Sequence, residues 1–180
     1  PGAMNTITGV ADALMDSTPL VVICGQVGAA MLGTDAFQEV DVVGVTQPIT
    51  KWNYQIRRAE DISWAVARAF FIASSGRPGP VVLDFTKNAQ TAMIEYQPQT
   101  IDFIRSYNPC PQPAEGAVEM AAWMINESVK PFMLVGQGVE LAGANKELLA
   151  LCEKAQIPFG TTFLGLSAAP SDHPLNMGRS

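Results

Sequence analysis

The sequence predicts an α/β chain, with parallel sheets flanked by helices. Three observations carry this. A continuous apolar run of strand length at residues 20–24, and the largely apolar VVLDF at 81–85, read as buried strands. They alternate with segments whose apolar residues recur at helical spacing, the pattern of a parallel sheet covered by helices. The alternation lapses between Tyr96 and Pro113 and then restarts. This gives a first unit over 1–95, a linker over 96–114 and a second unit over 115–180.

The elements follow in order. Residues 6–16 carry Ile7, Val10, Ala11 and Leu14 on one helical face, and Asp16-Ser17-Thr18-Pro19 stops that helix. Residues 20–24 form the first strand, closed by Gly25. A glycine-dotted loop leads to a short helical piece at 36–39. Residues 41–46, DVVGVT, read as a second strand. Residues 59–74 form the clearest helix, with Ile62, Val66, Ala69, Phe70 and Ala73 at helical spacing and Gly76 as its stop. Residues 81–85 are a third strand. After the proline-rich stretch 108–113, Val118, Ala121, Ala122 and Ile125 make a helix face, and 132–135 a strand. Leu148, Leu151, Cys152 and Ala155 make a further helix face, and 158–162 a strand. The chain begins without methionine and reads to its end at Gly178-Arg179-Ser180 without a closing element. Both units are therefore expected to be incomplete, and the last residues are read as a possible cloning remnant.

Composition narrows the function classes. The chain of 180 residues has 48% hydrophobic residues and a net charge of −6 from 11 basic and 17 acidic side chains. Its mean hydropathy is +0.15 and its isoelectric point is near 4.7. An acidic chain is a poor partner for a phosphate backbone, so no nucleic acid is expected. Charged residues make up 16%, against about 25% in soluble domains at large, which points to surface covered by other protein. No stretch approaches the ~20 apolar residues of a membrane span, and no basic region opens a signal peptide. Three scattered cysteines, Cys24, Cys110 and Cys152, read as reduced core thiols of a cytoplasmic protein. A single histidine, His173, argues against a histidine triad or a histidine metal cluster.

Ligands of open parallel sheets sit beyond the carboxyl ends of the strands. On the strand assignment above, Gln26, Lys51 and Lys87 line one such edge and could converge on a ligand. Alternatively, Gln26 satisfies loop backbone and the lysines are solvated. Gly136-Gln137-Gly138 lies between a strand and a helix, but Leu141 stands where a dinucleotide fingerprint needs its third glycine, so a tight turn fits equally well. Arg77, between two rigid turns in SGRPGP, is either a helix-end cation or an anion ligand.

Taken together, PGAMNTITGVADALMDSTPLVVICGQVG, GTDAFQE, PITKWN and SGRPGPVVLDFTK resemble the thiamine-diphosphate-dependent enzymes, within them the acetolactate (acetohydroxyacid) synthase family. The blocks match in order and spacing over residues 1 to about 90, and KPFMLVGQGVELAG through IPFGTTFLGLSAAPSDHPLNMG is similar to the start of that family's central domain. The resemblance implies part of a pyrimidine-binding domain followed by part of a flavin-binding-type central domain. It implies an oligomer, a dimer or tetramer, that condenses 2-ketoacids in branched-chain amino-acid synthesis, with a possible regulatory small subunit. It implies thiamine diphosphate, FAD and Mg²⁺ as cofactors. By the same resemblance Gln38 lies beside the thiamine cofactor with Phe37 next to it, Gln26 lines the substrate channel and Lys87 sits near its mouth. Ser17 and Arg77 would touch the flavin, as would Gly136, Gly138, Thr162, Phe163 and Leu164. Three positions depart from the family pattern: Met4 for threonine, and Gly28 and Thr86 for proline. The family's proton-relay glutamate would lie before Pro1 and its magnesium segment far downstream, so the chain alone is expected to be inactive with no metal ligands of its own. A glyoxylate carboligase, a sulfoacetaldehyde acetyltransferase-like enzyme and a non-enzymatic nucleotide-binding module are the alternatives.

Overall fold

A computed structural model describes residues 1–179 and divides the chain into two compact units, Pro1–Pro111 and Gln112–Ser180. Ser180, read above as part of a possible remnant, lies outside the described residues.

In the first unit a 3-10 turn, Ala3–Thr6, leads into α1 (Ile7–Met15). Ser17 takes a left-handed φ of 57° and Thr18 N–H bonds back to Ala13 O at 2.9 Å, which ends the helix where the sequence places its stop. Then follow β1 (Leu20–Gln26), α2 (Val42–Thr46), β2 (Trp52–Ile56), α3 (Ile62–Ser74), β3 (Pro80–Thr86) and α4 (Lys87–Thr91). The sheet is parallel in the order β1-β3-β2. Gln26 pairs with Thr86 and Ile56 with Phe85, so the three carboxyl ends share one edge. Central β3 alternates between the two faces. Val81 and Leu83 pack with Ala65, Ala69 and Ile72 of α3, while Val82 packs with Val10, Cys24 and Val42.

Several expectations change. Residues 41–46 are not a strand. Asp41 caps α2 by accepting Gly44 N–H at 2.9 Å, and this local bond turns a β-branched run into one helical turn whose buried face is Val42 and Thr46. The second strand is β2, which the search for continuous apolar runs misses because Asn53 and Gln55 alternate with Trp52 and Tyr54. Residues 36–39 form no helix; Asp35 and Gln38 have φ of 56° and 64°. Strand β1 is an edge strand with Ile23 62% exposed, so it is not buried on both faces. Phe70 points outward from α3, and Ala65 and Ile72 take the inner face instead. Within the expected linker, Ile104 is buried and Tyr107 Oη donates to Ser75 O at 2.8 Å, so the chain through Pro111 belongs to the first unit. Cys110 is exposed, unlike buried Cys24 and Cys152.

The second unit contains α5 (Ala117–Glu127), β4 (Met133–Val135), α6 (Gly138–Leu141), α7 (Asn145–Ala155), β5 (Phe159–Thr161) and β6 (Asn176–Arg179). Its parallel sheet runs β4-β5-β6. Strand β6 is an element that the sequence analysis did not place. Val135, Leu148, Cys152, Phe159 and Ala168 form the core. Leu151 and Ala155 of the expected α7 face are exposed, and α5 has no buried residue.

Candidate functional site

A cleft of about 590 Å³ opens alongside the carboxyl half of β1 and is bordered on one side by the loop 33–40. Gln26, Phe37 and Gln38 line it together, so three of the sequence-predicted residues meet. They differ in how they are engaged. Gln26 is 8% exposed, and its carboxamide is used internally. Nε2 donates to Val40 O at 2.8 Å and to Asp84 Oδ2 at 3.2 Å, while Oε1 accepts Val27 N–H at 3.0 Å. Phe37 is 88% exposed, and the exposed Gln38 carboxamide bonds to none of the described residues. Gln38 therefore retains both its donors and its acceptor for a ligand.

Asp84 lies beneath this edge, fully buried in the middle of β3. Its Oδ2 accepts from Gln55 Nε2 at 2.9 Å as well as from Gln26, whereas Oδ1 has no partner among the described residues. Burial pushes its pKa up, against the two carboxamide hydrogen bonds. Burial, and then the charge of Asp84, also raises the Cys24 thiol. Glu39 behaves oppositely: the Gly33 N–H bond, with further backbone N–H groups of the loop, holds its carboxyl below the usual range. Sequence reasoning passed over Asp84, Gln55 and Glu39. The signal for Asp84 was present, an acid inside an otherwise apolar run read as a buried strand.

Lys51 does not join this edge. It precedes β2 instead of following a strand, so it lies at the sheet's amino end, where its N–H bonds Pro80 O at 2.9 Å. Its ammonium donates to Ile72 O, to Ser75 O at 2.7 Å and to Tyr107 Oη at 3.1 Å, capping the carbonyls at the end of α3. Lys87 opens α4 at the correct edge, with its N–H on Val27 O at 3.4 Å, but it is not among the residues lining the cleft. Arg77 Nε donates to Ser17 Oγ at 2.7 Å and Nη2 to Met15 O at 3.1 Å, bracing the end of α1 against the 75–80 turn.

In the second unit, Gly136, Gly138, Thr162, Phe163 and Leu164 gather just beyond β4 and β5. Thr162 N–H bonds Val135 O at 2.9 Å, and the Arg179 guanidinium lies 5.6 Å from the exposed Phe163 ring. Gly165, which the sequence reading missed, is packed tightly there; a Cβ on it would meet Val135 O at 2.4 Å. Among the described residues no group of three or more His, Cys, Asp or Glu is placed to hold a metal ion, and no helix is long and apolar enough to cross a membrane.

This geometry, a parallel sheet with a cleft alongside its edge strand β1, stands beside what sequence comparison finds. Residues 1–45 match the thiamine pyrophosphate enzyme N-terminal TPP binding domain, and residues 118–180 the thiamine pyrophosphate enzyme central domain. The chain belongs to the thiamine pyrophosphate enzymes. Within them it is similar to acetolactate synthase large subunits. It is 45% identical over 179 residues to that of Corynebacterium glutamicum, and 46% identical over 178 residues to the isozyme 1 large subunit of Escherichia coli. A probable large subunit of Methanocaldococcus jannaschii is 42% identical over 182 residues. Each alignment takes in 99% of this chain, and the chain spans 28% to 31% of the length of these relatives.

Proposed function

We propose that the full-length protein carrying this chain is an acetolactate synthase-type transferase dependent on thiamine diphosphate. It joins two 2-ketoacids, pyruvate with pyruvate or with 2-oxobutanoate, for branched-chain amino-acid synthesis in the cytoplasm. The observation that carries the reading is the alignment of 99% of the chain with proteins named as acetolactate synthases. The first cleft suits the cofactor's aminopyrimidine end, with the exposed Phe37 ring for contact and the unengaged Gln38 carboxamide for directed hydrogen bonds. Thiamine diphosphate supplies the decarboxylating carbon–carbon bond chemistry. This chain's residues bind and orient. No carboxylate is among the described residues lining the cleft, and the acid that works on the aminopyrimidine, like the Mg²⁺ site, would come from the remainder of the full-length protein.

FAD is part of the proposal. Ser17 and Arg77 would approach it in the first unit, and Gly136, Gly138, Thr162, Phe163 and Leu164 in the second. The name "large subunit" borne by relatives suggests a small regulatory subunit as a further partner, beside self-association.

The test is acetolactate formation by the full-length protein supplied with pyruvate, thiamine diphosphate and Mg²⁺. In that protein Gln38→Ala should lower kcat/KM by roughly 5- to 150-fold, the equivalent of losing a partner worth about 1–3 kcal/mol, with the melting temperature unchanged. Absence of acetolactate from the unsubstituted protein overturns the reading. A lowered melting temperature with unchanged kcat/KM removes Gln38 from the site.

A further inference from the structure

The loop that borders the cleft carries an unusual concentration of left-handed backbone. Gly33, Asp35 and Gln38 have φ of 78°, 56° and 64°. Only the first is glycine, so two side-chain-bearing residues are held where such residues rarely settle. The tip residues do not hold themselves there. Phe37 is almost wholly exposed, and the Gln38 carboxamide bonds to none of the described residues. What closes the loop is Glu39. One carboxylate oxygen accepts Gly33 N–H, the other accepts Ala36 N–H at 3.1 Å, and the Glu39 N–H donates to Ala36 O at 2.9 Å. One residue further on, Val40 O receives Gln26 Nε2 at 2.8 Å, tying the loop's exit to the end of β1.

We propose that Glu39 is a positioning residue: by bridging the Gly33 and Ala36 N–H groups, its carboxylate fixes the loop so that Phe37 and Gln38 meet the cofactor already in place. The inference rests on the cleft being the thiamine site of the proposed synthase. Glu39 itself faces the other side of the loop, toward a second cleft lined by Asp41, Asn53 and Arg57, so it acts through the backbone and not by contact with the reacting groups. Its carboxylate is matched to two N–H donors, an arrangement that a carboxamide reproduces only in half, since its NH2 end would face an N–H.

The experiment uses the full-length protein with Glu39→Ala and Glu39→Gln. Amide hydrogen exchange over residues 31–40 is measured beside the melting temperature and beside kcat and KM for pyruvate at saturating thiamine diphosphate. Glu39→Ala should speed exchange in that segment and lower kcat/KM by about 10- to 100-fold, the scale of a modest misplacement of groups remote from the chemistry. Glu39→Gln should fall between Ala and the unsubstituted protein in both readouts. Unchanged loop exchange overturns the proposal, and so does faster exchange with kcat/KM unaltered, which would leave Glu39 a purely structural brace. If Glu39→Ala does not fold, Glu39→Gln decides by the same two readouts. If the unsubstituted protein makes no acetolactate, the functional reading fails on that result, while loop exchange still shows whether Glu39 holds the loop.

Discussion

Replacing Gln26 by alanine separates a residue that builds the site from one that meets the substrate. Its carboxamide bonds its own neighbour Val27 and two residues distant in sequence, Val40 at the loop exit and Asp84 in β3. Truncation removes three hydrogen bonds, worth roughly 0.5–1.5 kcal/mol each, so the first unit should lose about 1.5–4.5 kcal/mol. The bond to Asp84 weighs most, because Asp84 is fully buried and, among the described residues, one of its oxygens is without a partner and Gln55 would be its only remaining donor. Gln26→Met, which nearly conserves volume, should lose almost as much, and this distinguishes lost hydrogen bonds from a cavity. Urea unfolding followed by fluorescence reads the effect directly, since Trp52 and Trp64 pack edge to face at 5.9 Å within the first unit. The midpoint should fall with the slope unchanged. A loss below about 0.5 kcal/mol for both variants, the range of ordinary surface substitutions, refutes the reasoning.

Two further predictions follow from the same packing. Burial raises the Asp84 carboxyl, so its folded form keeps a proton that the unfolded chain gives up near the ordinary value of 3.8. The associated stability is full below that pH and is lost as pH rises toward the folded value. Asp84→Asn, which cannot ionise, should therefore gain on the unsubstituted chain as pH rises above about 4, by up to 1.36 kcal/mol per pH unit, and a constant difference in unfolding free energy from pH 4 to 7 contradicts this. Gly165→Ala forces a Cβ to within 2.4 Å of Val135 O and 3.0 Å of Gly136 Cα, all backbone that cannot rotate away. It should cost the second unit about 1–3 kcal/mol, read by hydrogen exchange over β4 and β5, whereas Gly138→Ala, with nothing within 4 Å, should be tolerated; equal effects of the two would refute the steric account.

The fold was legible where burial and local spacing agreed. Strand β3 is central, both of its faces are covered, and its sequence is accordingly apolar except for Asp84 and the terminal Thr86. Strand β2 is at an edge with two different neighbours. Trp52 and Tyr54 pack on Trp64, while Asn53 Nδ2 donates to Val43 O at 2.6 Å and to Thr46 Oγ1 at 2.9 Å. That alternation is a strand signal of period two, and a search tuned to unbroken apolar runs misses it. The misreading of 41–46 came from the converse. Four β-branched residues, Val42, Val43, Val45 and Thr46, suggest a strand, yet a single aspartate at the start redirects the backbone by bonding Gly44 N–H.

That local error had a consequence for the site. Taking 41–46 as the strand placed Lys51 after a carboxyl end; moving the strand to 52–56 places the same lysine before an amino end, on the opposite edge. In a parallel sheet, shifting one element along the chain past a residue exchanges the two ends of the domain for that residue. Gln26, Phe37 and Gln38 escaped this because β1 was placed correctly, and they meet in one cleft. Their roles could not be read from spacing. Gln26 and Gln38 are the same residue type, one at the end of β1 and the other in the loop that follows. The bonds that consume the first run to residues 14 and 58 positions away in the sequence, and no short-range pattern carries them. The carboxamide engaged by Val40 and Asp84 is committed to holding the cleft together. The one twelve residues later, on a loop fixed by Glu39, is left free to bind.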